Sequence, residues 1–86
     1  MDDITDWRKR IDEIDKKLLK LLNERTNCAI EIGKLKSKNN TEIYDPLREK
    51  KIISRICKIN KGPLSDEAVQ RLFECFIKES RQIEKR

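Results

Sequence analysis

Apolar residues recur at steps of three and four from the start of the chain: Ile4, Trp7, Ile11, Ile14, Leu18, Leu21, Leu22, Ala29 and Ile32. That period is helical and predicts a first helix over about Ile4–Lys38. Asp2 or Asp3 can cap its start, or Thr5 if the helix begins later. Gly33 falls inside the pattern and weakens it modestly. A helix of about 35 residues spans about 52 Å. This exceeds the width of a globule made from 86 residues, so the helix is expected to pair with another chain.

The run Asn39-Asn40-Thr41-Glu42 is rich in turn-forming residues and ends this segment. Asp45-Pro46 then reads as an N-cap followed by proline at N1. It predicts a second helix from Pro46 to about Asn60, with Leu47, Ile52, Ile53, Ile56, Cys57 and Ile59 as its apolar residues. Lys61-Gly62-Pro63 stops that helix. Ser65 caps a third, with Asp66 and Glu67 well placed in its first turn. Its stripe is Val69, Leu72, Phe73, Phe76, Ile77, Ser80 and Ile83. No strand pattern, repeat or low-complexity run occurs, so the fold class is all-α and residues 1–86 form one domain.

Composition sharpens this picture. Hydrophobic residues are 36% of the chain and aromatics 5%, which gives a meagre core and favours a homo-oligomer that shares one. Charged residues reach 43%, a level that suits disorder, but the apolar periodicity argues for amphipathic helices instead. The formal charge of +5 suits an anionic partner: a small polyanion, nucleic acid or an acidic membrane. There is no histidine, which excludes His-based metal sites and Ser–His or Cys–His catalysis. The three cysteines, Cys28, Cys57 and Cys75, form no CxxC motif and read as reduced thiols of a cytoplasmic protein. The acidic start Met1-Asp2-Asp3-Ile4 lacks the apolar run of a signal peptide, and no segment approaches membrane-spanning length.

The informative residues are polar ones where the stripes call for apolar ones. Arg25 continues Leu18, Leu21 and Leu22, and Lys36 continues Ala29 and Ile32. The two lie about 20° apart around a helix and about 16 Å apart along it. Arg8 is rotated from Arg25 by about 100°, so it need not serve the same pocket of the same chain. Ser80 and Glu84 form an i,i+4 pair continuing the Leu72, Phe73 and Phe76 face. Glu49 shares the side of Ile52, Ile53 and Ile56. Inward charges need partners. The residues alone leave two readings open: ion pairing among these side chains, or a polar pocket for a charged ligand. They lead as far as a helical, dimeric protein with a candidate anion pocket.

The run from Trp7 to Arg25 carries R-x-x-I-D-x-I-D-x-x-L-L-x-L-L-x-x-R, followed by Ile32-Gly33-Lys34-Leu35-Lys36. It resembles the N-terminal helix of the all-helical chorismate mutases. Asp45-Pro46-Leu47-Arg48-Glu49 is similar to that family's D-x-x-R-E, and Arg71-Leu72-Phe73 through Ser80 to its last helix. The likeness covers nearly the whole chain. It implies a single-activity, three-helix protomer whose long first helices cross in an intertwined six-helix homodimer with two identical sites. It implies no cofactor and no metal.

The resemblance also implies the reaction, a Claisen rearrangement of chorismate to prephenate within phenylalanine and tyrosine biosynthesis, and a role for each matching residue. Arg25, with Arg8 from the other subunit, would clamp the two substrate carboxylates through planar, bidentate guanidinium groups. Lys36 would donate to the ether oxygen as negative charge develops there. Glu49, with Asp45 nearby, would accept from the ring hydroxyl, and Arg48 and Ser80 would complete the polar wall. Glu84 stands where the family often has glutamine. Glutamate donates only when protonated, so activity is expected to fall as pH rises and to fall less in a Glu84→Gln variant.

Three rival readings compete. An isochorismate–pyruvate lyase shares the fold and a similar arginine–lysine pocket, but the acidic pair Asp45 and Glu49 suits the ring hydroxyl of chorismate. A basic helical dimer binding nucleic acid or a protein partner fits the charge. Against it, the basic residues alternate with Asp and Glu and form no one-sided stripe. A non-catalytic family member is opposed by the presence of Arg8, Arg25, Lys36, Arg48, Glu49 and Ser80.

Overall fold

The computed structural model describes residues 3–84. Three helices follow in order: α1 (Ile4–Lys38), α2 (Pro46–Ile59) and α3 (Asp66–Glu84). Asp3, not Thr5, caps α1, its carboxylate accepting from the Asp6 N–H at 2.9 Å. Asp2 lies outside the described residues. The chain turns at Asn40, in the left-handed region at φ 54°, while the Thr41 N–H donates back to the Lys36 carbonyl at 2.8 Å. Asp45 caps α2 through the Arg48 N–H at 3.1 Å, with Pro46 in the first turn. The second helix ends one residue earlier than its pattern predicts, because Asn60 is the C-cap.

Asn60 then organises the connection to α3. Its amide donates to the Leu64 carbonyl at 2.9 Å and to the Asp66 carboxylate at 2.8 Å, and its oxygen accepts from the Gly62 N–H at 3.1 Å. Gly62 holds φ at 75°, a conformation that glycine adopts without a Cβ penalty. Ser65 accepts from the Ala68 N–H at 3.1 Å, as its position before the third stripe implies.

α3 packs against both α1 and α2, whereas α1 and α2 do not pack on each other. The buried apolar residues are Ala29, Ile52, Val69 and Ile77, and no large side chain among the described residues is fully buried. The buried face of α3 therefore runs through Val69, Ile77 and Ser80, with Phe73 and Phe76 meeting edge to face at its flank. Leu72, which the sequence pattern put on that face, is 46% exposed. The apolar stripe of the N-terminal half of α1 is uncovered: Trp7, Ile11, Ile14, Leu18 and Leu21 all face solvent. The molecule is correspondingly extended, 56 × 24 × 16 Å, with a radius of gyration of 16.1 Å. A compact chain of this length has about 12 Å.

Gly33 has a different part from the one its place in the stripe suggests. It is buried where α1 crosses α3, and a Cβ there would stand 3.0 Å from the Glu84 carbonyl oxygen and 3.2 Å from its Cα. The close approach is bought with helix propensity, a loss of about 1 kcal/mol. Gly33→Val puts three further carbons against backbone and is expected to lower stability by about 1–3 kcal/mol. Thermal unfolding by circular dichroism reads this as a drop of several degrees; an unchanged midpoint would mean the crossing is loose.

Candidate functional site

The crossing of α1 and α3 opens a cleft of about 230 Å³ toward the turn before α2. α1 contributes Arg25, Cys28, Ala29, Ile32 and Lys36; the turn and α2 contribute Ile43, Asp45, Arg48 and Glu49; α3 contributes Ile77, Ser80, Arg81 and Glu84. Arg25, Ala29, Ile32 and Lys36 fall on one side of α1 because their steps are three and four. Ile77, Ser80, Arg81 and Glu84 do the same on α3. The floor is apolar and the rim charged, the usual make-up of a small-molecule site.

The cations of this cleft are unusual in their partners. Among the described residues, Arg25, Lys36 and Arg48 form no ion pair. Arg25 donates to the Ser80 hydroxyl at 3.0 Å, and Lys36 donates to the Ile43 carbonyl at 3.0 Å. Ser80 is buried, so its oxygen is committed to Arg25 rather than to solvent. Among the described residues these three cations have no carboxylate within ion-pair distance, so their donors are open to an anionic ligand. Among the carboxylates, Glu49 is bound by Arg81 at 2.7 Å, with both side chains less than a third exposed. No group of His, Cys, Asp or Glu among the described residues could hold a metal ion.

The cleft thus brings together seven of the eight residues singled out from the sequence: Arg25, Lys36, Asp45, Arg48, Glu49, Ser80 and Glu84. Arg8 is not among its lining residues. It lies on the uncovered half of α1, more than four helical turns before Arg25. Lys36 is half-buried, not a freely solvated member of the run Lys34, Lys36, Lys38. Arg81 escaped the sequence reading. A signal existed: it stands one turn after the core residue Ile77, directly beside Ser80. Its partner Glu49 is 32 residues away, and that pairing is set by tertiary packing.

A small helical protein with a charged, arginine- and lysine-lined cleft at a helix crossing is the class that this geometry defines. Comparison with known proteins makes the class specific. The profile of the chorismate mutase type II family matches residues 7–85, and the chain belongs to that family. It is 38% identical to a bifunctional chorismate mutase/prephenate dehydratase of Aquifex aeolicus over 100% of its own length and 25% of that protein's. The chain spans about a quarter of the length of that relative. The solved chorismate mutase (form II) of Thermus thermophilus superposes with a TM-score of 0.95 at 35% identity, covering 96% of this chain and 94% of that one. Chorismate mutase from Helicobacter pylori in complex with prephenate gives a TM-score of 0.88 at 28% identity, covering 95% and 89%.

Lys36 also ties the turn to α1, since Ile43 lies beyond the chain reversal at Asn40. Lys36→Met keeps most of the side-chain volume and removes the donor. Amide hydrogen–deuterium exchange over residues 40–45 is expected to quicken severalfold in this variant. Unchanged protection would mean that the turn is held by its backbone bonds alone.

Proposed function

We propose that this protein is a chorismate mutase, converting chorismate to prephenate by a Claisen rearrangement, and that it acts as a homodimer. The carrying observation is the cleft in which Arg25, Lys36 and Arg48 lack anionic partners among the described residues while Glu49, Asp45, Ser80 and Glu84 surround them. Membership of the family and the prephenate complex of a relative support the same reading. The free cysteines suit a cytoplasmic enzyme. Among the described residues no helix is long and apolar enough to cross a membrane.

The reaction breaks the ether C–O bond and forms a C–C bond within one molecule, with no covalent intermediate and no required proton transfer. Two demands follow. The flexible dianion must be held folded, with the reacting carbons in contact, which is an orientation effect. Charge that builds on the ether oxygen must be stabilised. Arg25 and the partner subunit's Arg8 hold the carboxylates. Lys36 donates to the ether oxygen from one side, and Glu84 stands on the other, where the family often has glutamine. Glu49, with Asp45, accepts from the ring hydroxyl. Arg48 and Ser80 close the polar wall, Ser80 by orienting Arg25.

Dimerisation answers the uncovered stripe. The chain exposes 7487 Å², against about 5,400 Å² for a compact monomer of its mass. The excess, doubled, is about 4,200 Å², the scale of an obligate homodimer. Pairing the N-terminal halves of two α1 helices covers Trp7, Ile11, Ile14, Leu18 and Leu21, and carries each Arg8 toward the other subunit. Arg8 is far too distant along α1 to reach its own cleft.

Purified protein is expected to form prephenate from chorismate, identified by NMR, with kcat/KM reduced about 100-fold or more in Arg25→Ala and in Arg8→Ala. Mixing the two inactive variants after unfolding and refolding tests the shared site. Each heterodimer carries one intact site, so about a quarter of wild-type activity returns. No recovery would place Arg8 within its own subunit's site or outside any site.

Glutamine at position 84 places an amide donor where Glu84 has a carboxyl, so kcat/KM at a fixed pH is expected to be kept or raised in Glu84→Gln. A loss of about 100-fold would remove the need for a donor at this position.

A further inference from the structure

Glu49 lines two clefts. One is the candidate active site; the other, about 710 Å³ between α2 and α3, is bordered by Tyr44, Ile53, Cys57, Glu74 and Lys78. Arg81 lines both as well. A glutamate between two clefts has two places to put its carboxylate, and only one of them faces a substrate. Arg81 reaches Glu49 from α3 with its Nη1 at 2.7 Å from Oε2. The guanidinium is itself held, since its carbon lies 4.4 Å from the centre of the Tyr44 ring. A cation at that distance over an aromatic face is attracted to it.

We infer that Arg81 is a positioning residue, clamped on Tyr44, that fixes the Glu49 carboxylate at the wall between the two clefts with Oε1 free to accept from the substrate's ring hydroxyl. The inference rests on the mutase reading above. Nothing in the matched motifs assigns Arg81 a role; the geometry does. The pair joins α2 to α3 across 32 residues and is sheltered, with side-chain exposures of 22% and 28%. Charge-assisted bonds of this length are strong and directional. Arg81 commits its charge to Glu49, so it adds orientation to the site without adding a free cation to the three already there. Arginine also suits this place because its planar guanidinium lies over the Tyr44 ring while one of its N–H groups reaches Glu49, and lysine has no such plane.

The test is a double-mutant cycle on kcat/KM with chorismate, using Arg81→Gln and Glu49→Gln. In the wild-type background Arg81→Gln is expected to lower kcat/KM about tenfold. In the Glu49→Gln background the same change should do little, within about twofold, because the group it positions is gone. Arg81→Lys should restore part of the loss, and Tyr44→Leu should reproduce part of it. Equal losses in both backgrounds would overturn the inference, since a purely structural role or a general attraction for the dianion acts without Glu49. No loss in Arg81→Gln would overturn it as well. Wild-type protein that fails to turn over chorismate at all would remove the mutase reading instead, an outcome distinct from an active wild type with an indifferent Arg81.

Discussion

The close crossing of α1 and α3 is the constraint on which the rest depends. Glycine at position 33 lets the Glu84 backbone come so near α1 that a Cβ would stand 3.0–3.2 Å from it, tighter than ordinary contact. That approach sets Arg25 opposite Ser80 and brings the last turns of α3 over the same face that carries Lys36. The cleft is the space beside the packed stretch of α1 and α3 that the turn and the start of α2 close on the remaining side. Its charged lining is thus a consequence of register. Residues spaced by three and four on each helix arrive together once the crossing is fixed.

The same crossing leaves α1 only partly used. Its C-terminal half is packed against α3, and its N-terminal half projects with a continuous apolar face. A protomer whose buried hydrophobic core comprises Ala29, Ile52, Val69 and Ile77 has little to set against the entropy of ordering 86 residues. In the proposed dimer the missing core and the missing arginine come from the same act, because Arg8 lies on the half of α1 that seeks a partner. Stability and a complete site would then be inseparable, and their dependence on protein concentration shared.

Electrostatics in the cleft divides into two kinds. Glu49 and Arg81 satisfy each other at 2.7 Å, while Arg25 and Lys36 rest on a hydroxyl and a carbonyl. Neutral acceptors keep the cations in place without cancelling them. The positive charge therefore remains available to an anionic ligand. The overall +5 of the chain adds a weaker, longer-range attraction of the same sign.

Much of this was legible before the structure. Helix boundaries followed from the steps of three and four and from Asp45, Ser65, Asn39 and Gly62, because caps and breakers act on their own neighbours. Seven of the eight candidate site residues line one cleft, and those on the helix stripes stood out as polar residues where apolar ones belong. Other features depended on contacts between segments distant in the chain. Gly33 reads locally as a weakness in a helix; only the arrival of Glu84 makes it a crossing point. Leu72 reads as core, yet α3 turns it outward because Val69 and Ile77 take the buried side. Arg81 reads as one more surface cation until α2 delivers Glu49 and the turn delivers Tyr44. The sequence by itself determined which residues are helical and which of them are out of place on their stripes, since both are local, periodic properties. The tertiary structure alone decided which of those residues meet, because pairing depends on where three helices cross and not on the period of any one.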